Sequence, residues 1–250
     1  MGGVKPPLGA AFLRLFMVQC SWNYERLVGI GMGVAEEPLL RHLRGAPDNG
    51  ASYRAAVARG ARFFNAHPYL CGLAVGATAR AEHDGMPPAQ IERLRAALIG
   101  PLGSLGDRLV WAGWLPFLAG AALAGIALGA GWIAVATFLG IYNLGHVALR
   151  WWALRAGWRA GSDVTGALRD PVLQGSLGLV GPAMAFAVGT ALPLVVRWLA
   201  GPLPGANVLV LLAVAAAGAG ALRLKPGLFT GPRLGLAAVL AAVVVGALWR

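Results

Sequence analysis

Charge and cysteine are scarce in this 250-residue chain, and each scarcity removes a class of protein. The chain has only 10 acidic residues against 21 lysines and arginines, and no pair of carboxylates falls within the apolar stretches to act as acid and base. Cys20 and Cys71 lie far apart, with no CxxC pair and no histidine at ligand spacing, so neither a disulfide nor a metal site is indicated. Both read as small packing residues. GxSxG, HExxH and Walker A signatures are missing. Catalysis by the chain alone is therefore not expected, and neither is a metal or cofactor. The largest gap lies between Arg108 and Arg150, where 41 consecutive residues carry no Asp, Glu, Lys or Arg, about twice what one spanning helix needs.

What fills these gaps is hydrocarbon. The hydrophobic share is 58% before the 37 glycines are counted, whereas soluble domains reach roughly 45 to 50% with glycine included. This excludes a water-soluble enzyme and predicts a protein of the lipid bilayer. A net charge of +11 would suggest nucleic acid in a soluble chain. Here the bases sit at the edges of apolar stretches, so membrane topology accounts for them and no nucleic-acid partner is expected. Lys5, Pro6, Pro7 and Arg14 interrupt any apolar core of a cleavable secretion signal, and Pro6 stands where N-myristoylation requires Ser or Thr.

Two compositional halves follow. Residues 1–108 hold 12 of the 21 bases and 8 of the 10 acids, and residues 109–250 are nearly continuous apolar sequence. Uncharged windows in the second half predict five spans, near 109–128, 131–149, 171–196, 204–222 and 234–249, the first two forming a hairpin around Gly129 to Gly131. Alternating spans place eleven bases on one side, from Arg80 to Arg233, and only Arg197 and Arg250 on the other. The N-terminal region is thus expected in the cytoplasm and the C-terminus outside.

The first half carries weaker signals. Residues 52–64 put Arg54, Arg59 and Arg62 in one arc opposite Val57, Ala61 and Phe64, with Ser52 as N-cap, which predicts an interfacial helix. A second amphipathic helix is predicted from Pro87 and Pro88 to Gly100 and Pro101, with Arg95 intruding on its apolar stripe of Ile91, Leu94, Leu98 and Ile99. Residues 68–79 are apolar but too short to span, and read as a re-entrant or buried segment. The predicted fold is thus all-α: a polytopic helical membrane protein with amphipathic and re-entrant helices followed by about five spans.

Three clusters combine hydrogen-bonding groups with aromatic rings or glycine inside apolar surroundings: QCSWNYER (Gln19 to Arg26), FFNAHPYL (Phe63 to Leu70) and GPLGSLGD (Gly100 to Asp107). Sugars need amide and carboxylate partners for their hydroxyls and flat rings for their C–H faces. The candidates for a substrate path or subunit interface are Trp22, Asn23, Asn65, His67 and Asp107. Plainer readings stand beside them: an aromatic belt and a helix cap for Trp22 and Asn23, a helix-end histidine for His67, and a cap on the first span for Asp107. Asn143 and His146, at i and i+3 on the second predicted span, are further candidates because polar groups inside a membrane are functional by default. Gly120, Gly125 and Gly129 read as a close-packing surface.

At the same clusters the sequence resembles the IID component of the mannose/fructose/sorbose family of the bacterial phosphotransferase system. QCSWNYERLVGIGMG (Gln19 to Gly33) resembles the family's Gly-Ser-Trp-Asn-Tyr-Glu-Arg block, and RFFNAHPYLCGLAVG (Arg62 to Gly76) its Phe-Phe-Asn-Thr-His-Pro-Tyr-Leu block. GPLGSLGD then follows at the expected distance. Tyr142 and Asn143, the RWWALRAGWRAG run (Arg150 to Gly161) and an apolar tail with Leu224, Lys225 and Pro226 extend the similarity over about residues 10 to 240. Departures include Cys20 for the family's Gly, Arg108 for its usual Ser, and Leu115 where a base is frequent before Pro116. The resemblance implies a non-catalytic subunit in the bacterial inner membrane. It also implies pairing with a IIC membrane subunit, the pairs grouping into a trimer, and phosphorylated IIA and IIB proteins that transfer phosphate to an entering hexose-type sugar. A non-transporting regulatory or scaffold subunit and a stand-alone proton-coupled carrier are the alternatives.

Overall fold

The computed structural model describes residues 6–200, and among these every regular element is helical. In chain order they are α1 (Leu8–Leu15), α2 (Gly29–Leu40), a 3-10 turn (Arg41–Gly45), α3 (Ala51–Gly60), α4 (Cys71–His83) and α5 (Pro88–Gly106). A π-helical stretch (Asp107–Trp114), α6 (Leu115–Ala127), α7 (Trp132–Ala160), a 3-10 turn (Gly161–Asp163), α8 (Val164–Ala167) and α9 (Pro171–Ala200) follow. Two compact units separate within them, one of residues 6–118 and 136–184 and the other of residues 119–135 and 185–200.

Among the described residues, three helical stretches are long and apolar enough to cross a membrane: Pro88–Ala127, Trp132–Ala167 and Leu173–Leu192. They contain the cores of the first three predicted spans. The spans expected near 204–222 and 234–249 lie outside the described residues, which hold three. The hairpin between the first two turns where expected, with Gly129 and Gly131 in the left-handed region that favours glycine.

Helix α5 does not stop at Gly100 and Pro101 as expected. It runs through Pro101 and on without interruption into the first span. Pro101 is exposed, while Leu98 and Leu102 on either side are fully packed, so the missing amide is tolerated on the outer face. Asp107 therefore lies inside a continuous helix and does not cap the span.

Helix α4 is the centre of the first unit. Its residues Cys71 to Ala79 are all buried, so the apolar segment that the sequence left as re-entrant or buried is a helix enclosed by protein. Glycine lets α7 approach it at backbone distance. A Cβ on Gly157 would meet the Leu73 carbonyl at 2.1 Å, and one on Gly76 would meet the Leu154 carbonyl at 2.4 Å. Small residues also set the second unit, where Gly120 packs against the backbone of Ala187 and Val188, and Gly125 against Ala134.

The amphipathic reading of α3 needs correction. Asp48, not Ser52, caps its start, accepting from the amides of Gly50 and Ser52. Arg59 turns inward, with Nε and Nη2 donating to Glu82 Oε1 at 2.9 and 2.6 Å. The intruding Arg95 of α5 is explained in the same way. It is buried over the Phe64 ring, donates to the Gly60 carbonyl at 2.9 Å and lies 3.8 Å from Glu36 Oε2. Glu36 itself accepts from Thr78 Oγ1 at 2.6 Å, so one charged network joins α2, α3, α4 and α5. Burial pushes the Glu36 carboxyl up to about 7, against the opposing pull of Arg95.

Two tests follow from this packing. Gly157→Val drives a side chain into the α4 backbone and should cost at least about 3 kcal/mol, read as lost thermal stability and a broadened size-exclusion profile in detergent. The pKa of Glu36 is higher folded than unfolded, so the folded state binds the extra proton and stability falls as pH rises between about 4.5 and about 7. Glu36→Gln should remove that decline from a pH series of unfolding midpoints.

Candidate functional site

The first and second sequence clusters meet through backbone hydrogen bonds, and the third packs on the His67 side chain of the second. In the first, Asn23 closes a turn, its Oδ1 accepting from the amides of Glu25 and Arg26 at 3.1 and 2.9 Å while Nδ2 donates to the Ser21 carbonyl. Its role is to shape the loop. Trp22 and Tyr24 form an exposed edge-to-face pair with ring centroids 4.9 Å apart. Leu27, with a positive φ of 50°, bridges to Phe64 of the second cluster, where Val28 N donates to the Phe64 carbonyl. The third cluster meets the second at Gly106, where a Cβ would fall 2.1 Å from that of His67. This contact gives the glycine of GPLGSLGD a physical reason: only hydrogen fits there.

His67 is buried, and its ring packs against Tyr69 and Trp111 with centroids 4.9 and 5.2 Å away. Tyr69 N donates to Nδ1, so the neutral ring carries its proton on Nε2, which has no protein partner among the described residues. Burial, reinforced by the positive charge of Arg150, lowers the His67 pKa to about 4. It is neutral at physiological pH.

Helix α7 supplies the other wall. Tyr142 and Tyr69 share a hydroxyl hydrogen bond of 2.8 Å, and His146 stacks on Tyr69 at 5.0 Å. His146 Nε2 also lies 3.1 Å from Asn143 Oδ1, and Asn143 Nδ2 donates to the Leu139 carbonyl. One turn on, Arg150 is buried over the Tyr69 ring at 4.6 Å and donates through Nη1 to the carbonyls of Leu15, at 2.6 Å, and Pro68, at 3.3 Å. His67, His146 and Arg150 thus gather around the Tyr69 ring. The π-helical stretch widens the first span where Trp111 reaches His67, a helix irregularity of the kind that accompanies functional sites.

Beside this cluster lies a cavity of about 560 Å³. Its walls are Leu109, Val110, Trp114 and Phe117 of the first span, Gly145, Leu149 and Trp152 of α7, and Leu173, Leu179 and Val180 of α9. Tyr69, His146, Asp170 and Ser176 add polar groups to the lining. Burial pushes the Cys71 thiol up to about 12, which leaves it unreactive. No group of three metal-ligating side chains occurs among the described residues.

Of the predicted site residues, the structure therefore brings together His67, His146 and, through His146, Asn143. Asn65 is exposed two positions from His67, and Trp22 and Asn23 sit in the first cluster's loop while Asp107 follows the Gly106 that packs on His67. The residues that sequence reasoning did not place in the site are Tyr69, Trp111, Tyr142 and Arg150. Arg150 carried a signal, as the first charge after 41 uncharged residues, but that signal was equally that of a headgroup anchor.

A helical membrane protein with a polar cluster between its first two spans, beside an apolar cavity, is the class defined so far. Residues 5–200 match the PTS system mannose/fructose/sorbose family IID component, and the chain belongs to that family. It is 30% identical over 168 residues to the mannose-specific EIID component of Escherichia coli (strain K12), covering 65% of this chain and 58% of that one. The sorbose-specific EIID component of Klebsiella pneumoniae is 32% identical over 202 residues, covering 76% of this chain and 69% of that one. The chain thus spans less than two thirds of the length of the Escherichia coli relative. Among solved structures, a cryo-EM complex of the mannose transporter ManYZ with microcin E492 contains a chain 26% identical, with a TM-score of 0.58, covering 75% of this chain and 69% of that one.

The depressed pKa of His67 has a consequence for stability. Its folded value lies below the unfolded one, so its contribution is present above about 6.5 and is lost as pH falls toward about 4. That slope opposes the slope from Glu36 over nearly the same window. His67→Gln should therefore leave a chain whose unfolding midpoint falls more steeply with rising pH between 4.5 and 6.5 than that of the parent.

Proposed function

We propose that this chain is the IID subunit of a mannose-family sugar permease, forming the membrane passage with a IIC subunit while cytoplasmic IIA and IIB proteins carry the phosphate to an entering hexose-type sugar. Membership of the IID family supports the class. The observation that carries the pairing is the cavity: its lining is mainly apolar, with few polar side chains, whereas each hydroxyl of an enclosed sugar needs a hydrogen-bonding partner. The walls that recognise sugar then come from IIC, and this chain contributes helix surface and the polar cluster around Tyr69. The chain itself forms no phosphorylated intermediate. The pairs group into a trimer in the bacterial inner membrane, with the N-terminal region in the cytoplasm.

In this reading Trp22 and Asn65, both on exposed loops, face IIC, with Asn23 holding the loop of Trp22. His67, Asn143 and His146 line the inner boundary of the passage, and Asp107 lies at its mouth. Co-expression with a IIC protein of the same family should give phosphoenolpyruvate-dependent sugar phosphorylation that neither membrane protein supports alone. Asn65→Ala and His67→Ala should lower uptake by about ten-fold, as expected for losing roughly one well-placed polar interaction, while IIC still co-purifies. Normal transport by both variants would remove the site assignment. Uptake by the lone chain driven by a pH gradient would overturn the permease reading in favour of a carrier.

A further inference from the structure

A second polar cluster lies outside that site, on the opposite flank of α1. Glu37 of α2 is mostly buried and accepts hydrogen bonds from three arginines. Arg14 Nη1 donates to Oε2 at 2.8 Å, Arg41 donates through Nε and Nη2 to both oxygens at 3.0 and 2.9 Å, and Arg44 Nη2 donates to Oε1 at 2.8 Å. Tyr53 braces the group: its hydroxyl donates to Glu37 Oε1 at 2.7 Å, accepts from Arg44 at 2.6 Å, and its ring lies under the Arg44 guanidinium. One carboxylate cannot neutralise three guanidiniums, so the cluster keeps an excess of positive charge. Each guanidinium carries five N–H donors, most of them unused here, and the Arg41 and Arg44 side chains are half-exposed. Fixed, forked donors with surplus charge are the recognition chemistry of a phosphate group.

The position of α1 says where that phosphate comes from. Phe12 packs on Trp151 of α7 with centroids 5.1 Å apart, and the Leu15 carbonyl accepts from Arg150. Trp132 to Arg150 is 19 residues of uninterrupted helix, a rise of about 27 Å, close to the roughly 30 Å thickness of a bilayer's hydrocarbon core. The C-terminal turn of α1 thus sits at the headgroup level. There Leu13, Phe16 and Met17 are exposed, at 68%, 41% and 54%, beside the arginine that reaches Glu37. Exposed apolar side chains next to a basic cluster are the pattern of a surface that meets lipid.

We propose that Arg14, Arg41 and Arg44, gathered on Glu37, form a headgroup site for one anionic phospholipid whose acyl chains lie against Leu13, Phe16 and Met17. The site is separate from the polar cluster around Tyr69 and does not depend on the permease reading. The ligand's phosphate diester takes the free guanidinium donors, and Glu37 with Tyr53 keeps the arginines in position before it arrives.

The full chain, purified in detergent and exposed to equal phosphatidylglycerol and phosphatidylcholine, should retain phosphatidylglycerol preferentially when bound lipid is counted by native mass spectrometry. Arg41→Gln with Arg44→Gln should lower that preference roughly ten-fold. Arg26→Gln with Arg93→Gln removes the same charge from exposed positions elsewhere and should leave it unchanged. Arg44→Lys, which keeps the charge and loses the fork, should give an intermediate loss and serves if the double variant unfolds. Equal retention of the two lipids by the parent chain overturns the site, as does an equal fall in both double variants. Displacement of phosphatidylglycerol by inorganic phosphate at matched concentration shows a free-anion site and overturns the lipid assignment.

Discussion

Burying the Arg150 guanidinium is the constraint on which the polar half of this structure depends. A charge withdrawn from water must be surrounded by acceptors and polarisable faces, and this one recruits them from two separate segments. It takes carbonyls from the end of α1 and from Pro68, and the rings of Phe16 and Tyr69. Satisfying it docks α1 on α7, fixes the loop before α4, and sets Tyr69 between His67 and His146. The cluster is therefore a by-product of one residue's solvation needs as much as an assembly of separate motifs.

The second organising feature is the absence of side chains at the closest approaches. Gly76, Gly106 and Gly157 each occupy points where a Cβ would overlap neighbouring atoms. Between apolar helices in lipid the gain from burying hydrocarbon is small, and close van der Waals contact between backbones supplies the cohesion. The glycines of α4 and α7 thus bring Arg150 within reach of Pro68, and Gly106 brings the first span up to His67. Packing and site are built by the same residues.

Family membership and cavity chemistry then support each other. A mainly apolar pocket lined by Trp114, Phe117, Leu149 and Trp152 suits the proposal that this chain lends surface to a partner. The arginines on Glu37 belong to a different task. They lie where the sequence shows only scattered bases, at positions 14, 41 and 44, and become one site through the packing of α1 on α2.

Much of this was readable in one dimension. Long uncharged runs determine that helices cross a bilayer, because no unpaired backbone group survives there, and the described spans fall where hydropathy puts them. The glycine turn of the hairpin, the helix start at Pro88 and the family blocks were equally local. Where α5 ends was not: Pro101 is a stop signal by propensity, overruled because Leu98 and Leu102 are packed on either side. Nor could spacing show that Arg59 and Arg95 turn inward, since their carboxylate partners Glu82 and Glu36 lie on other helices. Periodicity reports which face of a helix is apolar, whereas the partner of a buried charge is set by which helices meet. That is why the spans and the family were written in the sequence, while Tyr69, Tyr142 and Arg150 became a site only in the folded chain.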